Sequence, residues 1–165
     1  MRCLAAAALS CGLAACSPPP LDCVQPLDLS CTQLYPPDFD DVFQDTLIPK
    51  CSTGGGSCHT PTGHQAGMSF DKTNPDDAYQ QLLQPSTTLP GRFRVIPGNA
   101  SCSVLIERIY SNDDYWHMPR GATLADSEKC SIANWVAQGA LRRPTPDAMP
   151  PTPDAMPPDA GVDAQ

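Results

Sequence analysis

The chain is poor in aromatic residues and in basic residues, and it has no apolar run long enough to span a bilayer. Aromatic residues make up 6% of its 165 residues, whereas it contains 20 prolines. This composition excludes a single compact core that fills the whole length. Lys and Arg number 10 against 18 Asp and Glu, and the formal net charge is -8. A nucleic-acid partner is therefore not expected.

The sequence also lacks the short motifs of common hydrolytic and phosphoryl-transfer chemistry. It contains no Gly-x-Ser-x-Gly elbow, no phosphate-binding loop and no His-Glu-x-x-His pair. No alternating strand pattern of any length occurs, whereas several segments place apolar residues at helical spacing. We therefore expect an all-α domain with long loops and no enzymatic activity.

Residues 1–15 have the pattern of a lipoprotein signal peptide. The basic start Met1-Arg2 precedes an apolar run that is too short to cross a membrane. Leu13-Ala14-Ala15-Cys16 resembles the bacterial lipobox, in which the cysteine becomes the lipidated first residue. Ser17 follows it, and a residue other than Asp at this position favours the outer membrane. We expect a cell-envelope protein that is anchored to the membrane by acyl chains on Cys16. An ordinary secretory signal with a coincidental cysteine is the alternative.

Proline-rich segments flank the expected domain. Residues 16–37 begin with Ser17-Pro18-Pro19-Pro20, which predicts an extended tether. Residues 144–165 contain a seven-residue repeat, Pro-Thr-Pro-Asp-Ala-Met-Pro, which predicts a disordered spacer. The folded domain is expected over residues 38–143.

Four helices are predicted within that domain. The first contains Phe39 and Phe43 and is expected to end at Pro49. Asn74 and Asn99 are expected to cap the second and third helices. The fourth is predicted over residues 126–138 and is expected to stop at the following glycine.

The segment from Cys51 to His59 carries the candidate chemistry. In c-type haem attachment, two cysteines bind the haem vinyl groups through thioethers, and the adjacent histidine ligates the iron. That motif has two residues between its cysteines, whereas Cys51 and Cys58 are separated by six. Three of the six are glycines, which let the extra residues turn without strain. Cys51 and Cys58 are therefore either haem-binding cysteines or a disulfide pair.

Other segments follow this motif in an order that resembles a known family. Together with the motif, over residues 40–141, they resemble the cytochrome c-like domains of exported proteins from planctomycetes, myxobacteria and their relatives. The segments similar to that family's pattern are Gly67-Met68-Ser69-Phe70-Asp71, Val95-Ile96-Pro97-Gly98, Ser103-Val104-Leu105-Ile106-Glu107-Arg108-Ile109, Met118-Pro119 and the helix from Leu124 to Ala140.

The resemblance implies an electron carrier with one covalent haem c. Cys51 and Cys58 would be the thioether cysteines, His59 the proximal iron ligand and Met118 the distal ligand. His117 is a competing axial ligand. A redox protein would then be the partner, and the acidic balance of the chain would suit a basic one.

The resemblance also has implications for packing and for the haem propionates. It implies that the first helix packs across the last, with Phe43 against Trp135. Arg92 and Arg94 are candidates to pair with the propionates.

Four more cysteines remain after the signal peptide is removed and Cys16 is lipidated. An even number of cysteines in an exported protein indicates disulfides. Cys23 and Cys31 enclose a seven-residue loop, and Cys102 and Cys130 are additions to the family pattern that fall on the last two helices. We predict Cys23–Cys31 and Cys102–Cys130 bonds. The alternative function is a haem-free, disulfide-stapled lipoprotein that keeps the fold as a binding or structural module.

Overall fold

The computed structural model describes residues 23–52 and 58–143. This part of the chain is helical and contains no strand, so the all-α prediction is confirmed. The predicted signal peptide, the predicted lipidation site Cys16, the glycines between Cys51 and Cys58 and the repeat tail lie outside the described residues. No helix in the described ranges has the length and apolar content needed to cross a membrane. The α-helices are α1 (Phe39–Val42), α2 (Pro75–Leu82), α3 (Val104–Tyr110) and α4 (Asp126–Ala137).

The first helix does not end at Pro49. Asp38 caps α1 by accepting a hydrogen bond from the backbone N–H of Asp41 at 3.1 Å. The chain then passes into a π-helical stretch, Phe43–Ser52, that includes Pro49. A proline ends an α-helix because its ring clashes with the preceding turn and it has no N–H to donate. The chain around Pro49 is π-helical rather than α-helical, and the helical path reaches Cys51.

The core forms where α1 packs against α4. Phe39 and Trp135 are fully buried, with ring centroids 6.0 Å apart, and Phe43 stacks on Phe39 at 5.3 Å. The predicted crossing of the first and last helices is therefore found, although Phe39 supplies the direct ring contact to Trp135. Gly139, with φ of 103°, turns the chain after α4 as predicted. The carbonyl of Leu141 then accepts hydrogen bonds from Phe39 N and Trp135 Nε1.

Of the two predicted asparagine caps, one is found and the other is not. Asn74 caps α2 as predicted, because its side chain accepts a hydrogen bond from the N–H of Asp77. Asn99 does not cap α3, which begins after Ser103. The Asn99 side chain instead accepts from Cys102 N, and its carbonyl accepts from the Ser103 hydroxyl at 2.8 Å. These bonds form a turn ahead of the helix, and the helix starts four residues later than predicted.

The predicted disulfide pairing is wrong. The bonds are Cys23–Cys102 and Cys31–Cys130, with Cα–Cα distances of 4.4 and 5.9 Å. Each predicted pair joined two cysteines that follow one another in the sequence with no other cysteine between them. In the fold, the segment from Cys23 to Cys31 does not loop back on itself, and each of its ends meets a different helical region.

The part of the expected tether that the structure describes, residues 23–37, lies against the domain. Val24 N donates to Ser101 O at 2.9 Å and Leu34 N donates to Ser127 O at 3.2 Å. Tyr35 is buried, and its hydroxyl lies 2.5 Å from Thr46 Oγ1. These residues therefore belong to the folded unit, which extends N-terminally beyond the predicted boundary at residue 38.

Candidate cofactor site

Cys51 and Cys58 are the two cysteines of the described residues that form no disulfide. Cys51 lies in the last turn of the π-helical stretch. The backbone N–H of His59 donates to the carbonyl of Cys51 at 3.3 Å. This bond brings the end of the helix beside the Cys58-His59 pair, even though six residues separate the cysteines in sequence.

A cavity of about 290 Å³ lies beside this pair. All four residues predicted to hold a haem line it, namely Cys51, Cys58, His59 and Met118. The rest of the wall is mostly apolar and comes from the π-helical stretch, α2, α3, α4 and the loops between them. The apolar lining includes Leu47, Met68, Phe70, Leu82, Val104, Leu105, Ile109, Leu124 and Ile132.

The His59 ring is positioned with one nitrogen already engaged. Its Nδ1 lies 3.4 Å from the carbonyl of Met68, and its ring packs beside Phe70 at 5.4 Å. A proton on Nδ1 would satisfy this carbonyl and leave the Nε2 lone pair available to a metal. Burial lowers the pKa of His59, as does the charge of Arg94, whereas backbone hydrogen bonds at Met68 and Gln65 act in the opposite direction. The lowered pKa favours the neutral imidazole, which is the form that binds a metal.

The Cys51 thiol is half-buried and resists ionisation. Burial raises its pKa to about 12, and the neighbouring Glu128 and Cys58 also act to raise it. At neutral pH this side chain is a protonated thiol, which behaves as an apolar wall group and reacts slowly with oxidants and alkylating agents.

Met118 is held in place largely by Arg108. Met118 N donates to the carbonyl of Arg108 at 3.0 Å, and the Arg108 guanidinium donates to the carbonyl of Trp116 at 3.2 Å. The same guanidinium lies 4.2 Å from the centre of the Trp116 ring. Arg108 therefore fixes the irregular segment that presents Met118 to the cavity.

The competing ligand His117 does not line this cavity. Its Nδ1 lies 2.7 Å from the carbonyl of Ser111 and its Nε2 lies 2.8 Å from the carbonyl of Ala122. Both ring nitrogens thus lie beside carbonyls of the same loop. A second thioether, that of Met68, does line the cavity. Substitution of Met68 can therefore serve as a control for substitution of Met118.

Of the two arginines predicted to face propionates, Arg94 lines the cavity and Arg92 does not. Arg94 is buried and donates to the carbonyls of Gln81 and Ala66 at 2.7 and 2.8 Å. Gly67 follows Ala66 with φ of 66°, a conformation that favours glycine, and a Cβ there would lie 3.5 Å from Arg94 Nη2. Arg92 instead pairs with Glu107.

Two further arginines line the cavity, Arg108 and Arg120, and neither had a predicted role beyond its place in a sequence segment. Within the described ranges, no cluster of three or more His, Cys, Asp or Glu side chains is arranged to hold a metal ion. The donor set at the cavity is therefore thiol, imidazole and thioether rather than carboxylate. No protein-family model matches the chain, and searches of curated proteins and of solved structures found no match either.

Proposed function

We propose that this protein is a lipid-anchored electron carrier of the bacterial cell envelope with one covalent haem c. The observation that carries the proposal is the meeting of two free thiols, a neutral imidazole and a thioether at one apolar cavity. The four other cysteines of the described residues form two disulfides, and Cys51 and Cys58 are the two that are not paired with them.

The donor set fits a c-type haem. Cys51 and Cys58 would hold it through thioethers, His59 would ligate the iron through Nε2, and Met118 would be the second axial ligand. When bound, the haem supplies one-electron transfer. The chain's own contribution is to exclude water with an apolar wall, to keep the His59 imidazole neutral and to offer a soft thioether that favours reduced iron.

The location and the partners follow from the sequence. The lipobox at Cys16 would attach the protein to a membrane, most consistently the outer membrane, through its N-terminal lipid. With no hydrolytic or phosphoryl-transfer motif in the chain, the protein would exchange electrons with a redox protein rather than transform a substrate.

Haem attachment can be tested on the full chain, expressed in a Gram-negative host that carries haem-attachment machinery. We expect a haem stain that persists on a denaturing gel and an intact mass that is higher by one haem. Cys51→Ala and Cys58→Ala should each leave one thioether, and the double variant should lose the stain. A product without haem, lower in mass by two hydrogens and with a Cys51–Cys58 cross-linked peptide, would decide for the disulfide-stapled binding module.

Axial ligation is tested by a matched pair of variants. Met118→Leu should lower the reduction potential and change the spectrum of the oxidised protein, because the thioether raises the potential of a haem. Met68→Leu, which changes the other thioether of the cavity wall, should leave both unchanged. Equal effects of the two substitutions would remove Met118 from the site.

A further inference from the structure

The arginines of the described residues fall into two groups. Arg92, Arg142 and Arg143 each form an ion pair with a carboxylate. Over the same ranges, Arg94, Arg108 and Arg120 form none within 4.0 Å, and these three line the cavity. In a chain with a formal net charge of -8, the described arginines without an ion-pair partner thus all line one cavity.

Arg108 and Arg120 are also held close to each other. Arg108 lies over Trp116 at 4.2 Å, Arg120 lies over Tyr115 at 5.2 Å, and the two rings meet edge to face at 5.4 Å. Burial lowers the pKa of Arg108, and the nearby charge of Arg120 lowers it further, whereas Tyr115 and Glu107 act in the opposite direction. Two neighbouring like charges raise each other's energy until an anion binds between them.

No acidic side chain among the described residues lines the cavity to neutralise this pair. The two acids of the same loop are directed elsewhere. Asp113 accepts a hydrogen bond from Tyr115 N at 2.8 Å. Asp114 lines a separate polar pocket together with His117 and Lys129. The cavity edge beside Arg108 and Arg120 therefore offers positive charge with no carboxylate of the described residues in its lining.

We propose that Arg108 and Arg120 form a carboxylate-binding site at the edge of the cavity, which receives the acid groups of an otherwise apolar ligand. Arg120 is exposed, Arg108 is half-buried and the wall behind them is apolar, so the ligand's carboxylates lie at the solvent side and its apolar body lies inside. For a haem, which rests on the proposed function, the acid groups are the propionates. A guanidinium binds a carboxylate through paired N–H donors, which makes the site selective for acids over esters.

The test uses protoporphyrin IX and its dimethyl ester as probes, which differ only in their acid groups. The protein is the full chain with Cys51→Ala and Cys58→Ala, so that binding stays non-covalent and is measured by quenching of tryptophan fluorescence. We expect the diacid to bind roughly 10–100-fold more tightly than the ester, since hydrogen bonds to charged groups contribute about 1.5–3 kcal/mol.

Variants assign that preference to the two arginines. Arg120→Gln should reduce the ratio at least about fivefold, and a substitution at this exposed position should leave the packed core unchanged. Arg108→Gln should do the same, with Arg108→Lys intermediate because a lysine keeps the charge and loses the paired geometry. Arg143→Gln is the matched control, since that exposed arginine pairs with Asp38 and Asp41, and it should leave the ratio unchanged.

The outcomes separate this proposal from the proposed function. If both porphyrins bind equally, the carboxylate site is wrong while haem binding stands. If neither binds, dodecanoate against dodecanol decides the carboxylate site, and haem attachment is decided separately by the haem stain and the intact mass of the unsubstituted chain. A preference for dodecanoate that Arg120→Gln abolishes would uphold the carboxylate site. Equal binding of dodecanoate and dodecanol, or no binding of either, would overturn it.

Discussion

Removal of the Cys31–Cys130 bond should destabilise the domain strongly. The bond joins residues 99 apart in sequence, and Cys23–Cys102 joins residues 79 apart. A disulfide stabilises mainly by restricting the unfolded chain, and the effect grows with the logarithm of the loop it closes. The two loops overlap, so the second bond has to be counted in a chain that the first already constrains.

The magnitude follows from the shortest path between the sulfurs. With Cys23–Cys102 intact, Cys31 and Cys130 are connected through about 8 residues on one side and about 28 on the other. Closing this loop of about 36 residues contributes about 4 kcal/mol at 25 °C. Domains of this size have total stabilities of about 5–15 kcal/mol, so the variant should fold but be marginal.

The assay is urea unfolding of Cys31→Ala/Cys130→Ala, followed by the fluorescence of the buried Trp135. Alanine is preferred to serine because Cys130 is fully buried and a hydroxyl there would need a partner. We expect a loss of about 4 kcal/mol and a melting temperature lower by roughly 10–20 °C. Cys23→Ala/Cys102→Ala should lower the free energy of unfolding by a similar amount. With Cys31–Cys130 intact, the path from Cys23 to Cys102 runs through the same two segments.

A loss below about 1 kcal/mol would refute the entropic reasoning for this bond. Peptide mapping without reductant gives an independent check, because it should recover Cys23–Cys102 and Cys31–Cys130 peptides. Recovery of a Cys23–Cys31 peptide would show that the arm folds back on itself and that both loops are short.

Three further outcomes can be measured on the protein without haem. Phe39→Ala should cost about 3–5 kcal/mol in urea unfolding because it empties a fully buried site; Phe93→Ala, at a residue 45% exposed, should cost less than about 1 kcal/mol, and equal losses would contradict the placement of the core. Iodoacetamide at pH 8 should modify Cys51 far more slowly in the folded than in the unfolded chain, because burial raises its pKa to about 12; fast labelling would contradict that burial. Stability should fall as the pH drops below the unfolded histidine value of about 6.5, because the lowered pKa of His59 means that the unfolded state binds more protons there. His59→Gln should have a shallower slope, and an unchanged slope would show that His59 is not the residue responsible.

Sequence patterns were most informative where a local interaction fixes the structure. Asn74 accepts a hydrogen bond from a residue three positions later, and Gly139 supplies a positive φ that other residues avoid. Both helix ends were predicted because nothing distant competes with these interactions. Asn99 carries the same capping signal, but its oxygens serve the turn before Ser103 instead.

The errors arose where tertiary packing decides. The rule that proline ends a helix assumes α-helical geometry, and the π-helical turn around Pro49 does not obey it. The disulfides depend on the path of residues 23–35, which have no hydrophobic periodicity to reveal where they lie. Likewise, no local pattern distinguishes Arg108 from Arg92, because only the fold gives Arg92 a carboxylate partner and places Arg108 at the cavity.

The raised pKa of Cys51 has a consequence for the order in which the six cysteines of the described residues react. Thiol oxidation proceeds through the thiolate, and with a pKa of about 12 only about one Cys51 side chain in 10⁵ is ionised at pH 7. Once the domain has folded, an oxidising environment that completes the two disulfides therefore has little kinetic access to this residue. Folding thus makes Cys51 slow to oxidise, while the four cysteines of the two disulfides are oxidised. Cys51 stays available as a thiol without a second protein that protects it.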